Sequence, residues 1–221
     1  MNEQTQKEAF LATEADAWFS RNRTTAEVRL DHIDEAVLSV LDSPKSILEI
    51  GCADGQRLAK LGAGLSAGVH LAGIDPSARA IESGRECFPE LDLRVATADS
   101  LPFDEGFDAV IIGFCLYLCD RSLLSRIVSE VDRVLNDTGS LVIIDFDPTA
   151  PRRRRYRHLD GLWSYKMDYS TLFSVLPHFA LASKVSMSHS APVWEADETE
   201  RIAVWTLKKN LEGGYATEGD D

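Results

Sequence analysis

The stretch SILEIGCADGQRL, residues 46–58, changes from an apolar strand pattern to a turn with two glycines and then to a helix pattern. Glycines directly after a strand let the backbone approach a ligand without a Cβ in the way, and the next helix presents its free amides to that ligand. The same residues also suit a tight turn that holds no ligand. The stretch alone predicts a strand–turn–helix unit and leaves its role open.

The same alternation of short apolar runs and amphipathic helices continues from the first strand to residue 146. The predicted strands are 47–50, 69–74, 91–96, 109–113 and 141–146, and the predicted helices between them are 56–61, 77–87 and 121–135. Such alternation is typical of a parallel sheet with right-handed crossovers. Two further strand patterns, 179–188 and 201–209, have no helix between them, which predicts an antiparallel pair at the end of the sheet.

The segments outside this alternation complete the predicted organisation. Residues 7–19 and 26–41 have helical patterns, whereas the Gly-, Glu- and Asp-rich residues 211–221 are predicted to be disordered. A chain of 221 residues suits one domain. We predict a leading helical segment or lid at 1–44, a sheet domain at 45–210 with a loop insertion at about 147–170, and the acidic tail 211–221.

Composition excludes several classes of function. The formal net charge of -13 disfavours a nucleic-acid partner, because most of the surface would repel a polyanion. No apolar run approaches the roughly 20 residues that span a bilayer, and the first residues do not resemble a signal peptide. Four cysteines without zinc-binding spacing indicate reduced thiols. We therefore expect a cytoplasmic protein with no metal, membrane or nucleic-acid partner and with an unknown oligomeric state.

Two acidic residues flank the glycine turn. Asp75 ends the second predicted strand, 20 residues after Gly55. An acid at this place can accept two hydrogen bonds from a ribose diol, although it would also suit the cap of the helix predicted to start at Pro76. Glu49 precedes the first glycine, where a carboxylate would repel a pyrophosphate but suits a cationic ligand. The pattern Glu-x-Gly-x-Ala-x-Gly therefore argues against a dinucleotide site.

With these motifs the chain resembles the class I S-adenosylmethionine-dependent methyltransferases over about residues 44–209. The segments ADSLPF at 98–103 and FDAVIIGFCLYLCD at 107–120 also look like motifs of that family. The resemblance implies an α/β fold, a Rossmann-like three-layer sandwich whose mostly parallel sheet ends in an antiparallel strand pair. It further implies S-adenosylmethionine as cofactor and methyl transfer as activity.

The resemblance also implies which residues hold the cofactor. The glycine turn would lie under the methionine and ribose, Asp75 would bind the ribose, and Asp99 would meet the adenine amino group. Arg21, in the leading segment, is interpreted as a partner of the methionine carboxylate, with a surface contact as the alternative. The predicted cofactor-binding residues are Glu49, Gly51, Cys52, Ala53, Gly55, Asp75, Pro76, Asp99, Ser100, Gly113, Phe114 and Arg21.

The segment PRRRRYRH, residues 151–158, points to the methyl acceptor. Its five arginines either form a solvated face or bind a phosphate or carboxylate through their planar forks. We predict a small anionic acceptor, such as a nucleotide-linked sugar, a phosphorylated metabolite or a carboxylic acid, methylated on an oxygen or nitrogen atom. The predicted acceptor-binding residues are Arg153, Arg155, Tyr156, Trp163 and Tyr165.

Transfer to a hydroxyl or a protonated amine also requires a group that takes a proton. His158 and Tyr117 are the candidate catalytic residues, and a structural role is the alternative for each. Three other functions compete with the predicted one: methylation of protein or RNA, a non-catalytic S-adenosylmethionine-binding module, and a nicotinamide oxidoreductase. The Glu-x-Gly-x-Ala-x-Gly pattern and the closing strand pair argue against the last of these.

Overall fold

The computed structural model describes residues 4–23 and 29–215. Its strands are β1 Ser46–Ile50, β2 His70–Asp75, β3 Asp92–Val95, β4 Phe107–Gly113, β5 Leu135–Phe146, β6 Arg152–Arg155, β7 Trp163–Lys166, β8 Phe179–Ser188 and β9 Arg201–Lys209. Its α-helices are α1 Gln6–Ala9, α2 Ala15–Asn22, α3 His32–Leu38, α4 Gln56–Gly64, α5 Ala78–Cys87, α6 Leu124–Val134, α7 Thr171–Ser174 and α8 Leu211–Gly214. A π-helical turn, Phe10–Glu14, joins α1 to α2, so that residues 6–22 form one helical segment.

Seven strands form one sheet in the order β3-β2-β1-β4-β5-β9-β8. Strands β1 to β5 pair in parallel, and β9 runs antiparallel to both β5 and β8. Helices α6 and α7 pack on one face of the sheet, while α3, α4 and α5 pack on the other. The predicted three-layer α/β fold and its antiparallel ending are therefore confirmed.

The central strands are buried on both faces, which explains why they are continuous apolar runs in the sequence. In β4, Val110 and Ile112 pack toward α6, whereas Ala109 and Ile111 pack toward α4. The order of strands reverses between β1 and β4, and ligands of open α/β sheets bind beyond the carboxyl ends of the strands at such a point. The turn after β1 and the end of β4 lie there.

Two segments differ from the sequence-based expectation. The insertion predicted as a loop contains a hairpin, in which β6 pairs antiparallel with β7. A run of arginines has no alternation of apolar and polar residues, so the usual strand pattern was absent. The tail predicted as disordered begins with α8, whose first amides are satisfied by Asn210 and Asp137. Residues 216–221 lie outside the described residues, as do residues 24–28, which include the first three residues of the helix predicted at 26–41.

Candidate functional site

The turn after β1 has an unusual backbone. Gly51, Ala53 and Gly55 all have positive φ, of 80°, 50° and 76°. A Cβ on Gly51 would lie 2.9 Å from the Cβ of Cys115, and a Cβ on Gly55 would meet Leu91. The turn itself therefore requires these glycines. At the same time, their backbone lies at the carboxyl edge of the sheet without a Cβ that would keep a ligand away. The tight-corner and ligand-site interpretations are compatible.

Asp75 closes this turn from the end of β2. Its Oδ2 accepts a hydrogen bond from the Ala53 amide at 3.0 Å, and its Oδ1 accepts one from the Ser77 amide at 2.8 Å. Ser77, not Asp75, caps α5, because its hydroxyl accepts the Ala80 amide at 3.0 Å. Burial raises the pKa of Asp75 to about 6, although the two amides lower it. A carboxylate offers about four acceptor positions, so each oxygen of Asp75 retains one for a ligand.

A first cavity of about 130 Å³ lies beyond the ends of β1, β2 and β4. Its wall is mainly apolar, with Ile50, Ile74 and Ile127 among the lining residues, and Asp75 and Asp99 add carboxylates. Of the predicted cofactor residues, the following line it: Gly51, Asp75, Pro76, Asp99, Gly113 and Phe114. An apolar slot with acidic residues on its rim suits a flat nucleoside.

The helical segment 6–22 covers this first cavity. Asp120 accepts hydrogen bonds from the Gln6 and Lys7 amides at 3.0 and 2.8 Å, which satisfies free donors at the start of α1. Lys7 Nζ lies 2.7 Å from Asp99 Oδ2, and Ser77 donates to Asp16 at 2.6 Å. These contacts hold the segment at both ends over the cavity, and its role as a lid remains a prediction.

Arg21 does not reach the cavities that the cofactor residues line. Its guanidinium contacts the buried carboxylate of Glu14 and lies 3.2 Å from the Tyr156 hydroxyl. Glu14 lies two turns earlier on the same helical segment, and its ion pair with Arg21 holds the guanidinium away from the cavities. This pairing argues against the predicted contact between Arg21 and a methionine carboxylate, which remains a prediction.

A second, larger cavity of about 750 Å³ adjoins the first. The two cavities share four lining residues, Trp18, Gly51, Gly113 and Phe114. The predicted residues Glu49, Cys52 and Ala53 line only the second cavity. Gly55 and Ser100 line neither cavity. Gly55 is the N-cap residue of α4 and has a left-handed backbone conformation, and Ser100 is exposed.

A buried ion-pair group forms the floor where the cavities meet. Arg57 binds Glu49 through Nη1 at 3.0 Å and Asp34 through Nε at 3.2 Å. The second oxygen of Glu49, Oε2, is buried and has no hydrogen-bond partner among the described residues. Burial raises the pKa of Glu49 although Arg57 lowers it. A Cβ on Gly113 would lie 2.5 Å from Arg57 Nη1, so Gly113 must be a glycine for the pair to fit.

Arginines of β6 and of the loop after it also line the second cavity. Arg154 and Arg157 line it together with Tyr156. Successive side chains of a strand point to opposite faces, and accordingly Arg153 and Arg155 stack over the ring of Trp163, at 4.4 and 4.9 Å from its centroid. Of the predicted acceptor residues only Tyr156 lines this cavity; Arg153, Arg155, Trp163 and Tyr165 do not, and the last lies beneath Arg121.

The two predicted proton acceptors have different environments. His158 is exposed, lines the second cavity and contacts the Tyr156 ring edge-on, with centroids 5.3 Å apart. Tyr117 also lines the cavity, but burial and the nearby Asp145 carboxylate raise the pKa of its phenol far above the usual value. The raised pKa keeps the phenol protonated and argues against Tyr117 as a base, and its catalytic role remains a prediction.

Several lining residues were not found from the sequence. His32 and His189 line the second cavity. The ring centroids of His189 and Phe114 lie 5.6 Å apart in an edge-to-face arrangement. Arg57 follows the glycine turn by two residues, which was the available signal for it. His189 lies in a loop after β8, and no sequence pattern connects that loop to β4.

Two structural absences hold for the residues that the structure describes. Within 4–23 and 29–215, no three His, Cys, Asp or Glu side chains are grouped so that they could hold a metal ion. No helix in these ranges is both long enough and apolar enough to cross a membrane.

Comparisons with known proteins agree with this geometry. Residues 47–139 match the family model described as a methyltransferase domain. The chain is 30% identical over 173 residues to a demethylmenaquinone methyltransferase of Renibacterium salmoninarum, covering 73% of this chain and 65% of the relative. It is 31% identical over 169 residues to the protein of the same name from Paenarthrobacter aurescens, covering 71% and 59%. The chain thus spans less than two thirds of the length of these curated relatives.

Solved structures share the fold at lower sequence identity. The N-methyltransferase NodS of Bradyrhizobium japonicum, in complex with S-adenosyl-L-homocysteine, superposes with a TM-score of 0.62 at 18% identity, covering 94% of this chain and 99% of that one. The PH0226 protein of Pyrococcus horikoshii gives a TM-score of 0.65 at 14% identity, covering 88% and 99%. The [4+2]-cyclase SpnF gives 0.65 at 16% identity, covering 94% and 97%. These similarities show the fold.

Proposed function

The chain belongs to the class I S-adenosylmethionine-dependent methyltransferases, and from this premise we propose that it transfers a methyl group from S-adenosylmethionine to an oxygen or nitrogen of a small anionic acceptor. The observation that carries the proposal is the junction of the two cavities at Gly51 and Gly113. Neither residue has a side chain to separate an apolar, acid-rimmed cavity on one side from an arginine-lined cavity on the other.

The residues at this junction fit each part of the cofactor. The free acceptor positions of Asp75 suit the ribose diol, and the apolar first cavity suits the adenine. The unpartnered Glu49 Oε2 suits the ammonium group of the methionine part, because a buried carboxylate oxygen without a partner is costly until a cation binds it. The methyl group would then face the second cavity.

S-adenosylmethionine, when bound, supplies a methyl group already activated by its sulfonium. The protein therefore has mainly to align the acceptor and exclude water. Phe114 and Phe146 pack edge-on beside the junction, with ring centroids 6.0 Å apart. Their rings would position the acceptor. Of the histidines that line the second cavity, His158 and His189 are the candidate proton acceptors, because the Nε2 of His32 already lies 3.2 Å from the Ser188 carbonyl oxygen.

A second candidate acceptor is an aromatic ring of the kind named in the curated relatives, demethylmenaquinone. The aromatic wall of the second cavity favours it, because Tyr117 and Phe146 contact each other edge-on at 5.2 Å and offer flat apolar surface. Arg154 and Arg157, which line the same cavity, favour the anionic acceptor instead.

Transfer of a labelled methyl group from S-adenosylmethionine tests the proposed function directly. The acceptors to be compared are phosphorylated metabolites, nucleotide-linked sugars, carboxylic acids and demethylmenaquinone. We expect transfer to an anionic small molecule, and preference for demethylmenaquinone would select the second candidate. Tight S-adenosylmethionine binding without transfer to any acceptor would instead indicate a non-catalytic binding module.

The alternation along β6 gives a matched pair of substitutions. Arg154→Gln is expected to raise the KM for the acceptor by about 10-fold or more, because a hydrogen bond to a charged group contributes about 1.5–3 kcal/mol. Arg155→Gln, which removes the same charge from the Trp163 face, should leave KM within about twofold because Arg155 stacks on Trp163 and does not line the second cavity. Steady-state kinetics checks both variants. Equal effects of the two substitutions would contradict the placement of the acceptor.

Glu49→Gln is expected to weaken S-adenosylhomocysteine binding by about 10-fold through loss of the charged partner for the ammonium group. Binding of 5′-methylthioadenosine, which lacks the amino-acid part, should change little. Calorimetric titration with both ligands measures the difference. Asp54→Asn, in the same turn, is the control for loss of one negative charge. An equal loss for both ligands would mean that Glu49 acts through the fold rather than on the methionine part.

A further inference from the structure

A third cavity of about 60 Å³ lies beside the arginine strand β6. It is lined by Arg152, Arg153, Arg154, Ser164, Lys166, Glu198 and Thr199. Arg154 and Ser164 line the second cavity as well, so that the third cavity is a side pocket of the proposed acceptor site. Its small volume suits one anionic group rather than a whole molecule.

Cations exceed carboxylates in this side pocket. Glu198 is the carboxylate among its lining residues, and it pairs with Arg152 and lies 3.9 Å from Arg201. Lys166 and Arg154 have no carboxylate within ion-pair distance among the described residues: Arg154 Nε donates to the Ser164 hydroxyl at 3.3 Å, and Lys166 Nζ lies 3.4 Å from the Thr199 carbonyl. Arg153 also has no carboxylate partner among these residues, but its guanidinium stacks on Trp163, so Arg154 and Lys166 are the two unpaired cations left to bind an anion in this space.

Lys166 is the more unusual of the two, because it is only 5% exposed. Its Nζ lies 3.3 Å from the centroid of the Phe146 ring, and Phe146 itself lines the second cavity. Burial, together with Arg154 and Arg152, lowers the pKa of Lys166 to about 8, although Asp145 and Glu200 act in the opposite direction. A desolvated ammonium beside two guanidinium groups is costly unless an anion binds there.

We propose that this side pocket is a phosphate subsite in which Arg154, Lys166 and the Ser164 hydroxyl bind a phosphate group carried by the methyl acceptor. The inference rests on the proposed function, since it assigns the anionic part of that acceptor. A phosphate monoester carries a charge of about -1.5 to -2 at pH 7 and three acceptor oxygens, which matches two unpaired cations and a hydroxyl donor. Arg154 can bind two oxygens through its fork, and Lys166 supplies a point charge.

The geometry also relates the subsite to the reaction. Phe146 lies between Lys166 on one side and the aromatic wall formed with Phe114 and Tyr117 on the other. A phosphate in the side pocket would therefore leave the rest of the acceptor in the second cavity, beside the junction with the first. The subsite would select phosphorylated acceptors over carboxylic acids, which carry one charge less.

Titration calorimetry of the full-length protein with phenyl phosphate tests the subsite without any need for methyl transfer. At pH 7 we expect phenyl phosphate to bind at least 10-fold more tightly than benzoate. Lys166→Met, which preserves length and apolar contact with Phe146, and Arg154→Gln should each weaken phenyl phosphate binding by at least 10-fold. Lys208→Met, which removes a charge beside Ser140 at the other end of β5, should stay within twofold of the parent.

The pH dependence adds a readout that a structural role of Lys166 would not produce. Lys166 is charged below a pH of about 8 and loses its charge above it, so phenyl phosphate affinity should fall between pH 7 and pH 9. Asp145, Asp197, Glu200, Arg152 and Arg154 also face this lysine. All of them are retained in Lys166→Arg, whose guanidinium stays charged and should preserve the affinity at pH 9.

The outcomes separate this inference from the proposed function. If phenyl phosphate binds as expected but no acceptor is methylated, the subsite stands and the proposed function fails. If phenyl phosphate affinity is unchanged in both Lys166→Met and Arg154→Gln, or equals that of benzoate, the subsite is refuted even if methyl transfer is observed. Should Lys166→Met not fold, Arg154→Gln and Lys166→Arg carry the same test.

Discussion

Asp75→Asn is expected to weaken S-adenosylhomocysteine binding by about 100-fold. Each hydrogen bond from the ribose diol to a charged acceptor contributes about 1.5–3 kcal/mol, and two such bonds amount to about 3 kcal/mol at the low end of that range, or about 100-fold in affinity. The asparagine amide would also face the Ala53 or Ser77 amide, both of which now donate to Asp75. Titration calorimetry measures the loss.

The ligand pair used for Glu49 distinguishes the two acidic residues. Because S-adenosylhomocysteine and 5′-methylthioadenosine both contain the ribose, Asp75→Asn should weaken both to the same extent. Asp54→Asn, with the melting temperature of each variant, controls for charge and for folding. Loss of less than threefold in the folded Asp75 variant would show that Asp75 only closes the turn.

The pH dependence of the same binding reaction follows from the environment of Asp75. Burial raises the pKa of its carboxyl to about 6, so that protons compete with the ribose diol below that pH. We expect cofactor affinity to be constant above pH 7 and to fall by up to about 10-fold per pH unit below pH 6. Asp75→Asn should remove this dependence.

Deletion of residues 1–23 is expected to weaken cofactor binding by about 100-fold and to abolish methyl transfer. The deletion removes five residues that line the first cavity: Gln6, Lys7, Phe10, Ala15 and Trp18. Burying a large apolar side chain contributes about 1.5–3 kcal/mol, so the loss of contacts from Phe10 and Trp18 suffices for this effect. Titration with S-adenosylhomocysteine and circular dichroism check binding and fold.

A point variant tests the same segment in the full-length chain. Asp120→Ala removes the carboxylate that accepts the Gln6 and Lys7 amides, and it should weaken the cofactor by about 10-fold. Glu8→Gln changes an exposed acid on the same helix and should have no effect. If the deletion leaves cofactor affinity unchanged, the segment is a surface element and not a lid.

The cofactor side of the site was largely predictable from the sequence. Gly51, Asp75 and Gly113 follow the ends of three parallel strands, and the carboxyl ends of parallel strands meet at one edge of a sheet. Recognising the strands was therefore enough to bring these residues together. The acceptor side was less predictable, since β6 and β7 pair with each other outside the main sheet.

The order of the seven strands of the main sheet and of the helices between β1 and β5 was readable from the sequence, because burial on both sheet faces requires apolar runs and the turns require glycine. Which arginines line the second cavity could be read only from the tertiary structure. Arg154 and Arg155 are adjacent in sequence, but the pairing of β6 with β7 turns them to opposite faces. Tertiary packing likewise joined Arg57 to Glu49 and Lys7 to Asp99, because charged side chains bind partners that are near in space, whatever their separation in the chain.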